Sequence, residues 1–457
     1  MKTKIKNFKS FSISTVIVLV VVVIVWVLVI RLEGEEPVVD IDLSSDFLGL
    51  SQELSFSVTD NKSGLRMVWI GLIKDGKELV LLEKKFPGSG FISGGDVRRE
   101  SFRLNVEPKK LGISDGNATL QIKVRDFSWR GRLRGNLTLF EKNLVVDTQP
   151  PGIDVLTRFH NISKGGSGLI IYKLSEPCQK TGIYVGDTFY PGYTGYFKDK
   201  QTAMAFFALD YEDTTKSEMF VDAVDHAGNR SKSGFHHYIK NKVFKKDVLN
   251  ITDGFLSSKM PEFENLIKRN GDNSLVQTFL KVNRDLRKAN YLKIVEVVQN
   301  PEKILHWSGS FLRLPKSARK AAFADHREYQ YKGKMIDQQV HLGIDLASLA
   351  RSQVPAANTG KVVFSDNLGI YGNTVIIDHG FGLFSMYSHL SEMDVQSGQM
   401  VSMGDTIART GSTGLAGGDH LHFSLLVHGT FVNPVEWWDS VWIENNVSSK
   451  IRDAGAG

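Results

Sequence analysis

Twenty consecutive residues without a charge, Phe11 to Ile30 (FSISTVIVLVVVVIVWVLVI), constrain this 457-residue chain more than any other feature. At 1.5 Å per residue such a helix reaches about 30 Å, the thickness of a bilayer's hydrocarbon core. It has no polar face, which argues against the half-buried helix of a globular domain. Lys2, Lys4, Lys6 and Lys9 precede it, and only Arg31 follows closely before Glu33, Glu35 and Glu36. That asymmetry predicts a cytoplasmic N-terminus and export of everything after residue 31. A cleaved signal peptide has a shorter apolar region ending in small residues, and Val-Ile-Arg-Leu-Glu-Gly offers neither. The expectation is a single-pass anchor in the cytoplasmic (inner) membrane, with residues 1–10 as a cytoplasmic tail and 11–31 as the membrane segment.

Charge then reads differently. The chain carries 56 Lys and Arg against 50 Asp and Glu, a net +6. Four of those charges are the tail lysines, so the exported part is nearly neutral and lacks the basic footprint of a nucleic-acid binder. The single cysteine, Cys178, excludes an intrachain disulfide framework and any Cys-rich zinc site.

Between Val38 and about Asn241 short alternating runs recur, such as Leu54–Val58, Met67–Ile70, Leu120–Val124 and Met219–Ala223, separated by Gly, Asn and Asp. This is strand patterning, and its spacing suits β-sandwiches. The adjacent prolines of Asp147-Thr-Gln-Pro-Pro-Gly152 remove ladder donors and mark a joint, giving two β-sandwich-like domains at 37–147 and 148–241. Leu120-Gln-Ile-Lys-Val-Arg-Asp126 matches Met219-Phe-Val-Asp-Ala-Val-Asp225, and the second copy continues into His226-Ala-Gly-Asn229. With the Asp-x-x-Pro-Pro start, these residues resemble bacterial immunoglobulin-like repeats. His236 and His237 have no third ligand nearby and read as surface residues.

From Lys245 the period changes. Leu275, Phe279, Val282 and Leu286 fall on one helical face, with Asn273 or Ser274 placed to cap it. Lys281, Arg284, Arg287 and Lys288 form the other face, which reads as its solvated side. Residues 245–300 are therefore expected to be a helical linker.

Eight of the 12 histidines lie after residue 300. Val340-His-Leu-Gly-Ile-Asp-Leu346 carries His341 and Asp345, Tyr387-Ser-His-Leu390 carries His389, and Asp419-His-Leu-His-Phe423 carries His420 and His422. Two apart on a strand, His420 and His422 leave the same face about 7 Å from each other, so one can bind metal while the other works beside it. His341 and Asp345 would stand about 13 Å apart in extended chain, too far to share an ion. Gly343 permits a bend, which puts His341 on a turn and Asp345 at the start of the next strand. Two imidazoles and a carboxylate leave one tetrahedral position free, the composition of a catalytic zinc site. There is no His-Glu-x-x-His helix to supply a base, and His389 and His420 are spare for proton transfer. Metal-assisted amide hydrolysis follows. His306, His326, His379 and His428 lack spacing partners, and the Gly411–Gly418 cluster lacks the Gly-Lys-Ser/Thr of a phosphate loop.

In order and spacing, His-x-Gly-x-Asp, Asp378-His-Gly through Tyr-Ser-His-Leu-Ser391, Gly398-Gln-x-Val-x-x-Gly-Asp405, Gly411-Ser-Thr-Gly414 and His-Leu-His resemble the lysostaphin-type (LytM) zinc endopeptidases across His341 to Pro434. The resemblance implies His341, Asp345 and His422 as ligands of one zinc, and His389 and His420 as catalytic residues. It implies a small antiparallel β-sheet domain, here expected over 301–440 with 441–457 as a tail. Peptidoglycan peptides are the implied substrate, met outside the cytoplasm, and a tethered chain with spacers suits a periplasm. The overall expectation is a mainly β, membrane-anchored chain that hydrolyses the cell wall. The alternative is a wall-binding or amidase-activating scaffold whose zinc site is occluded.

Overall fold

The computed structural model describes residues 2–43, 45–90, 92–214, 216–266 and 274–455, with side chains from residue 13 onward. It comprises two compact units, Met1–Pro150 with Val224–Asn229, and Pro151–Ala223 with Arg230–Gly457. Strands dominate both.

The first unit begins with helix Lys2–Arg31, whose stretch Ile13–Arg31 has a mean hydropathy of 3.4. Its apolar side chains from Val16 to Trp26 stand exposed. Length and composition fit a single-pass anchor or a signal sequence. Two sheets follow. One orders Val38–Asp42, Gln52–Thr59 and Arg99–Val106; the other orders Phe47–Leu48, Leu137–Val146, Gly116–Asp126, Leu65–Lys74 and Lys77–Lys85. Alternation puts Leu54, Phe56 and Val58 of the first sheet and Leu120, Ile122 and Val124 of the second into one core. The remaining faces are half-exposed, as expected of antiparallel sheets with one solvated side.

In the second unit, sequence spacing separates 148–241, 245–300, 301–440 and 441–457, yet one hydrophobic core runs through all four. Thr202–Ala208 is buried at every residue, and Ser167–Leu174 at every residue but Lys173. Strands covered on both faces read as unbroken apolar runs, and these do: Ala-Met-Ala-Phe-Phe-Ala and Leu-Ile-Ile-Tyr. What covers them comes from the chain's end. Phe206 lies 5.9 Å from Trp307 and 6.1 Å from Trp437 between ring centroids, and the Trp437 indole N–H donates to Ser167 Oγ at 3.0 Å. Residues 440–455 are helical rather than a loose tail, with Ile443 and Val447 inside this core.

The 245–300 stretch is not wholly helical. Lys246–Ile251 is a strand paired in parallel with Asp325–Tyr331. Helix Asp253–Lys259 follows, and a longer helical run passes from Leu275–Lys281 through a π turn, Val282–Leu286, into Arg287–Val297. Ser274 caps that run by accepting from Gln277 N, whereas Asn273 lies outside the described residues. Phe279 and Val282 are fully buried, Leu286 only half, and Leu275 is 39% exposed. The π turn inserts a residue into the helical repeat, so a stripe drawn at 3.6 residues per turn cannot stay on one face through it.

The C-terminal sheet is antiparallel and orders Ala318–Ala321, Ile344–Ala347, Leu421–Val427, Leu383–Leu390, Asn373–Asp378, Gly360–Asn367 and Met400–Val401, with Thr430–Val432 beside Leu421–Val427. Its third strand in that order, Leu421–Val427, carries His422.

Candidate active site

Strand pairing builds the site. Asp345 on Ile344–Ala347 lies directly opposite His422, and on the other flank Ser388 of Leu383–Leu390 does the same. Opposed residues share a face, so Asp345 and His422 project together. His341 ends strand Lys334–His341 rather than sitting on a turn, and the chain bends after it to start the next strand at Ile344. Gly343 is required here for closeness. A Cβ there would come within 2.5 Å of His422 Nε2 and 2.6 Å of Ser424 Oγ.

His389 reaches the site through a bulge. Asn373 pairs with Leu390 and Val375 with Tyr387, so Thr374 faces two residues, Ser388 and His389. Regular alternation would send His389 the way of Tyr387, whose hydroxyl accepts from Ala357 N in the core. The extra residue, with His389 at φ +63°, turns the imidazole back toward His420, 4.8 Å away between ring centroids. A non-glycine residue held in the left-handed region stores strain of the kind found at functional sites.

The hydrogen-bond pattern identifies what the centre can hold. His341 Nδ1 lies 2.9 Å from the Ala322 carbonyl, so it carries the proton and Nε2 presents a lone pair. His422 Nε2 lies 3.1 Å from Ser424 Oγ, whose own proton goes to the Leu342 carbonyl at 2.7 Å; His422 therefore donates to that hydroxyl and leaves Nδ1 bare. The two bare nitrogens stand 2.9 Å apart, and Asp345 Oδ1 is 2.9 Å from one and 3.0 Å from the other. Three lone pairs converge without a proton between them, all from buried side chains. A bound cation would satisfy that arrangement. Ligands around a tetrahedral zinc stand about 3.3 Å apart, so the triangle is close to the right size.

Asp345 is anchored from behind by Arg327, whose Nη2 donates to Oδ2 at 2.8 Å and leaves Oδ1 for the centre. Burial opposes ionisation of Asp345, but the surrounding imidazoles outweigh it and hold the carboxyl well below the usual carboxylate range. Burial pushes His422 down to about 4, so the imidazole stays neutral as a ligand must be. Beside the triangle, His389 Nδ1 donates to the Thr413 carbonyl at 2.9 Å and His420 Nδ1 to the Gly418 carbonyl at 2.8 Å. Each thereby turns Nε2 inward, His420 to 3.5 Å from Asp345 Oδ1.

All five residues singled out by spacing thus come together in one place. The four set aside do not join them. His379 is fully buried, bonded to the Thr359 carbonyl and Ser385 Oγ, so it is a core residue rather than an exposed turn. His428 occupies a hairpin turn stacked on Tyr193. Spacing missed Arg327, whose available signal was a charge sharing the inward face of an alternating strand with Asp325 and Tyr329. It also missed that the centre opens into a cavity of about 330 Å³ walled by Leu249, Ile251, Phe255, Phe279, Arg287 and Tyr371. Six of the lining residues, Leu249, Asn250, Ile251, Phe255, Phe279 and Arg287, come from the stretch expected to be a linker.

An antiparallel sheet with a two-histidine, one-carboxylate triangle and two further inward imidazoles has the donor set that metal-dependent hydrolases use. The model of peptidase family M23 matches residues 339–434, so the chain carries an M23 (LytM-type) domain at its C-terminal end. The DD-carboxypeptidase/endopeptidase Mpg of Neisseria meningitidis serogroup B (strain ATCC 13091 / M2091) is 39% identical over 97 residues, 21% of this chain and 22% of that protein. The peptidoglycan DD-endopeptidase ShyA of Vibrio cholerae serotype O1 is 40% identical over 96 residues, again 21% and 22%. The chain thus spans less than a quarter of the length of these curated relatives. Among solved structures, the catalytic domain of the antimicrobial peptidase lysostaphin from Staphylococcus simulans aligns with 29% of this chain and 98% of its own, at 26% identity and a TM-score of 0.24.

Proposed function

We propose that this protein is a membrane-anchored zinc endopeptidase that hydrolyses peptide bonds in peptidoglycan stems or cross-links. The observation that carries the reading is the triangle of His341 Nε2, Asp345 Oδ1 and His422 Nδ1, three unprotonated donors within 3.0 Å of one another. These residues would hold one zinc, and the nitrogen and carboxylate donor set suits it. When bound, the ion supplies Lewis acidity toward an amide carbonyl and lowers the pKa of water. His389 and His420, tethered through Nδ1 to backbone carbonyls, share the proton work. One Nε2 takes the proton as water oxygen bonds to the amide carbon, and a proton reaches the departing amine as the carbon–nitrogen bond breaks. The names of the Neisseria and Vibrio relatives support a peptidoglycan peptide as substrate. The apolar helix anchors the chain with its N-terminus in the cytoplasm and the site on the outer side. The two β stretches are read, on their sequence resemblance alone, as immunoglobulin-like.

Purified protein lacking the apolar helix should bind about one zinc and release soluble fragments from cell walls. His420→Ala should keep the metal and lose hydrolysis. Zinc-loaded wild-type protein that leaves walls of several chemotypes intact would sink the reading.

One observation favours the occluded-scaffold alternative. Helix Asp253–Lys259 puts Phe255 into the cavity lining and is tied down at both ends, with Lys259 Nζ donating to the Ser412 carbonyl at 2.6 Å and Asp253 accepting from Tyr331 Oη at 2.6 Å. If this strap covers the groove in solution, Lys259→Ala combined with Asp253→Ala should raise turnover several-fold; an unchanged rate removes the alternative.

A further inference from the structure

The basic helix face beyond the π turn is not uniformly solvated. Arg284 spends its charge on Asp337, donating from Nε at 2.8 Å, and also donates to the Ile336 carbonyl. Arg287 does not. Its Nε donates to the Asn283 carbonyl at 3.1 Å and its Nη2 to Asn283 Oδ1 at 2.7 Å, both neutral partners. Asn283 is itself fully buried and fixed by its amide, which donates to Asp337 Oδ2 at 2.8 Å. Among the described residues Arg287 makes no ion pair. It is a half-buried guanidinium, held in one orientation by a relay of amides, and it lines a second cavity with Asp210 and Glu212 on its other side.

Arg287 also lines the cavity that holds His389, His420 and His422. Among the described residues the sole acidic one in that lining is Asp345, and Arg327 and the imidazoles already engage it. A cavity with two guanidiniums, one committed carboxylate and a site for a dication is strongly electropositive. A fixed guanidinium presents parallel donors that match a carboxylate, while a protonated amine is repelled. Leaving it desolvated beside an uncharged ligand costs binding energy.

We propose that Arg287 binds a carboxylate of the substrate, so that the site selects peptides bearing a free carboxylate near the scissile bond over their amidated counterparts. The inference rests on the hydrolase reading above. A chain-terminal carboxylate and a side-chain carboxylate share this chemistry.

The test uses the full chain in detergent micelles with zinc. It takes one peptide sequence in three forms: free at its terminal and side-chain carboxyls, amidated at the terminus only, and amidated at the side chain only. Both kcat/KM and equilibrium binding by fluorescence anisotropy are measured for wild type, Arg287→Gln and Arg287→Lys. Amidation at one position should weaken wild type about 10- to 100-fold, mainly through KM and Kd, and that position identifies the carboxylate source. Arg287→Gln should shrink the preference to within about threefold, and Arg287→Lys should restore part of it. Equal treatment of all three forms by wild type overturns the proposal, whether or not the variants fold. So does a preference that survives in a folded Arg287→Gln. If no form is cleaved while binding discriminates through Arg287, the hydrolase reading fails and the carboxylate site stands.

Discussion

Arg327 fixes the orientation of Asp345 in the candidate metal site. Its ion pair with Oδ2 fixes the carboxylate so that Oδ1 meets His341 and His422, and Arg327 is itself largely buried. Replacing it by Gln should weaken zinc affinity about 10- to 100-fold, read by chelator competition, with the fold retained. Gly343→Ala drives a methyl into the His422 ring and should lower zinc occupancy measurably at stoichiometric metal, because the contact of 2.5 Å falls on a ligand. The five site residues are legible in the sequence because chemistry dictates their types and short spacings confine them. Arg327 is not, since its partner lies 18 positions on and the contact depends on how hairpin Asp325–His341 lies against the next sheet.

At the scale of elements, the bulge at Ser388–His389 and the buried strands of residues 167–208 have opposite legibility. Tyr-Ser-His-Leu reads as a plain alternating strand, and the register shift that turns His389 into the site comes only from pairing with Asn373–Asp378. Thr202–Ala208 is apolar on both sides in the sequence itself, a signal that both faces are covered. What covers it is Trp307 and Trp437, more than 90 residues away in the chain. Phe206→Ala should therefore cost about 3–5 kcal/mol, and its denaturation midpoint followed by zinc release should shift together with that followed by tryptophan fluorescence. A shift in fluorescence alone would mean that the β stretch and the metal domain unfold separately. By the same packing, residues 301–440 do not hold this core by themselves, because Phe206, Phe207 and Phe279 lie outside them.

For the whole molecule, acid and the membrane are the two conditions that matter. Burial pushes His160, His379 and His428 each down to about 4, and all three belong to the second unit. Unfolded, each would titrate near 6.5, so below that pH the unfolded chain takes up protons the folded chain refuses. Stability is fully present above about pH 6.5 and falls as pH drops toward 4, by up to about 1.4 kcal/mol per pH unit for each histidine. Denaturant midpoints of metal-free protein at pH 7 and pH 5 check this, and the loss should be smaller in His428→Phe. An anchor and a signal sequence separate by fractionation. The full chain should sediment with membranes at its full 51.0 kDa and be released when residues 1–31 are deleted.

The sequence by itself determined the elements whose cause is local: an apolar run long enough to span a bilayer, the alternation that makes strands, and donor residues at spacings that suit one metal. The tertiary structure alone decided which elements share a core, that the presumed linker supplies part of the cavity wall, and that Arg287 lines that cavity while Arg284 pairs with Asp337. Those outcomes depend on contacts between residues far apart in the chain. A spacing pattern records where a side chain points on its own element, and it carries no record of what another element brings to meet it.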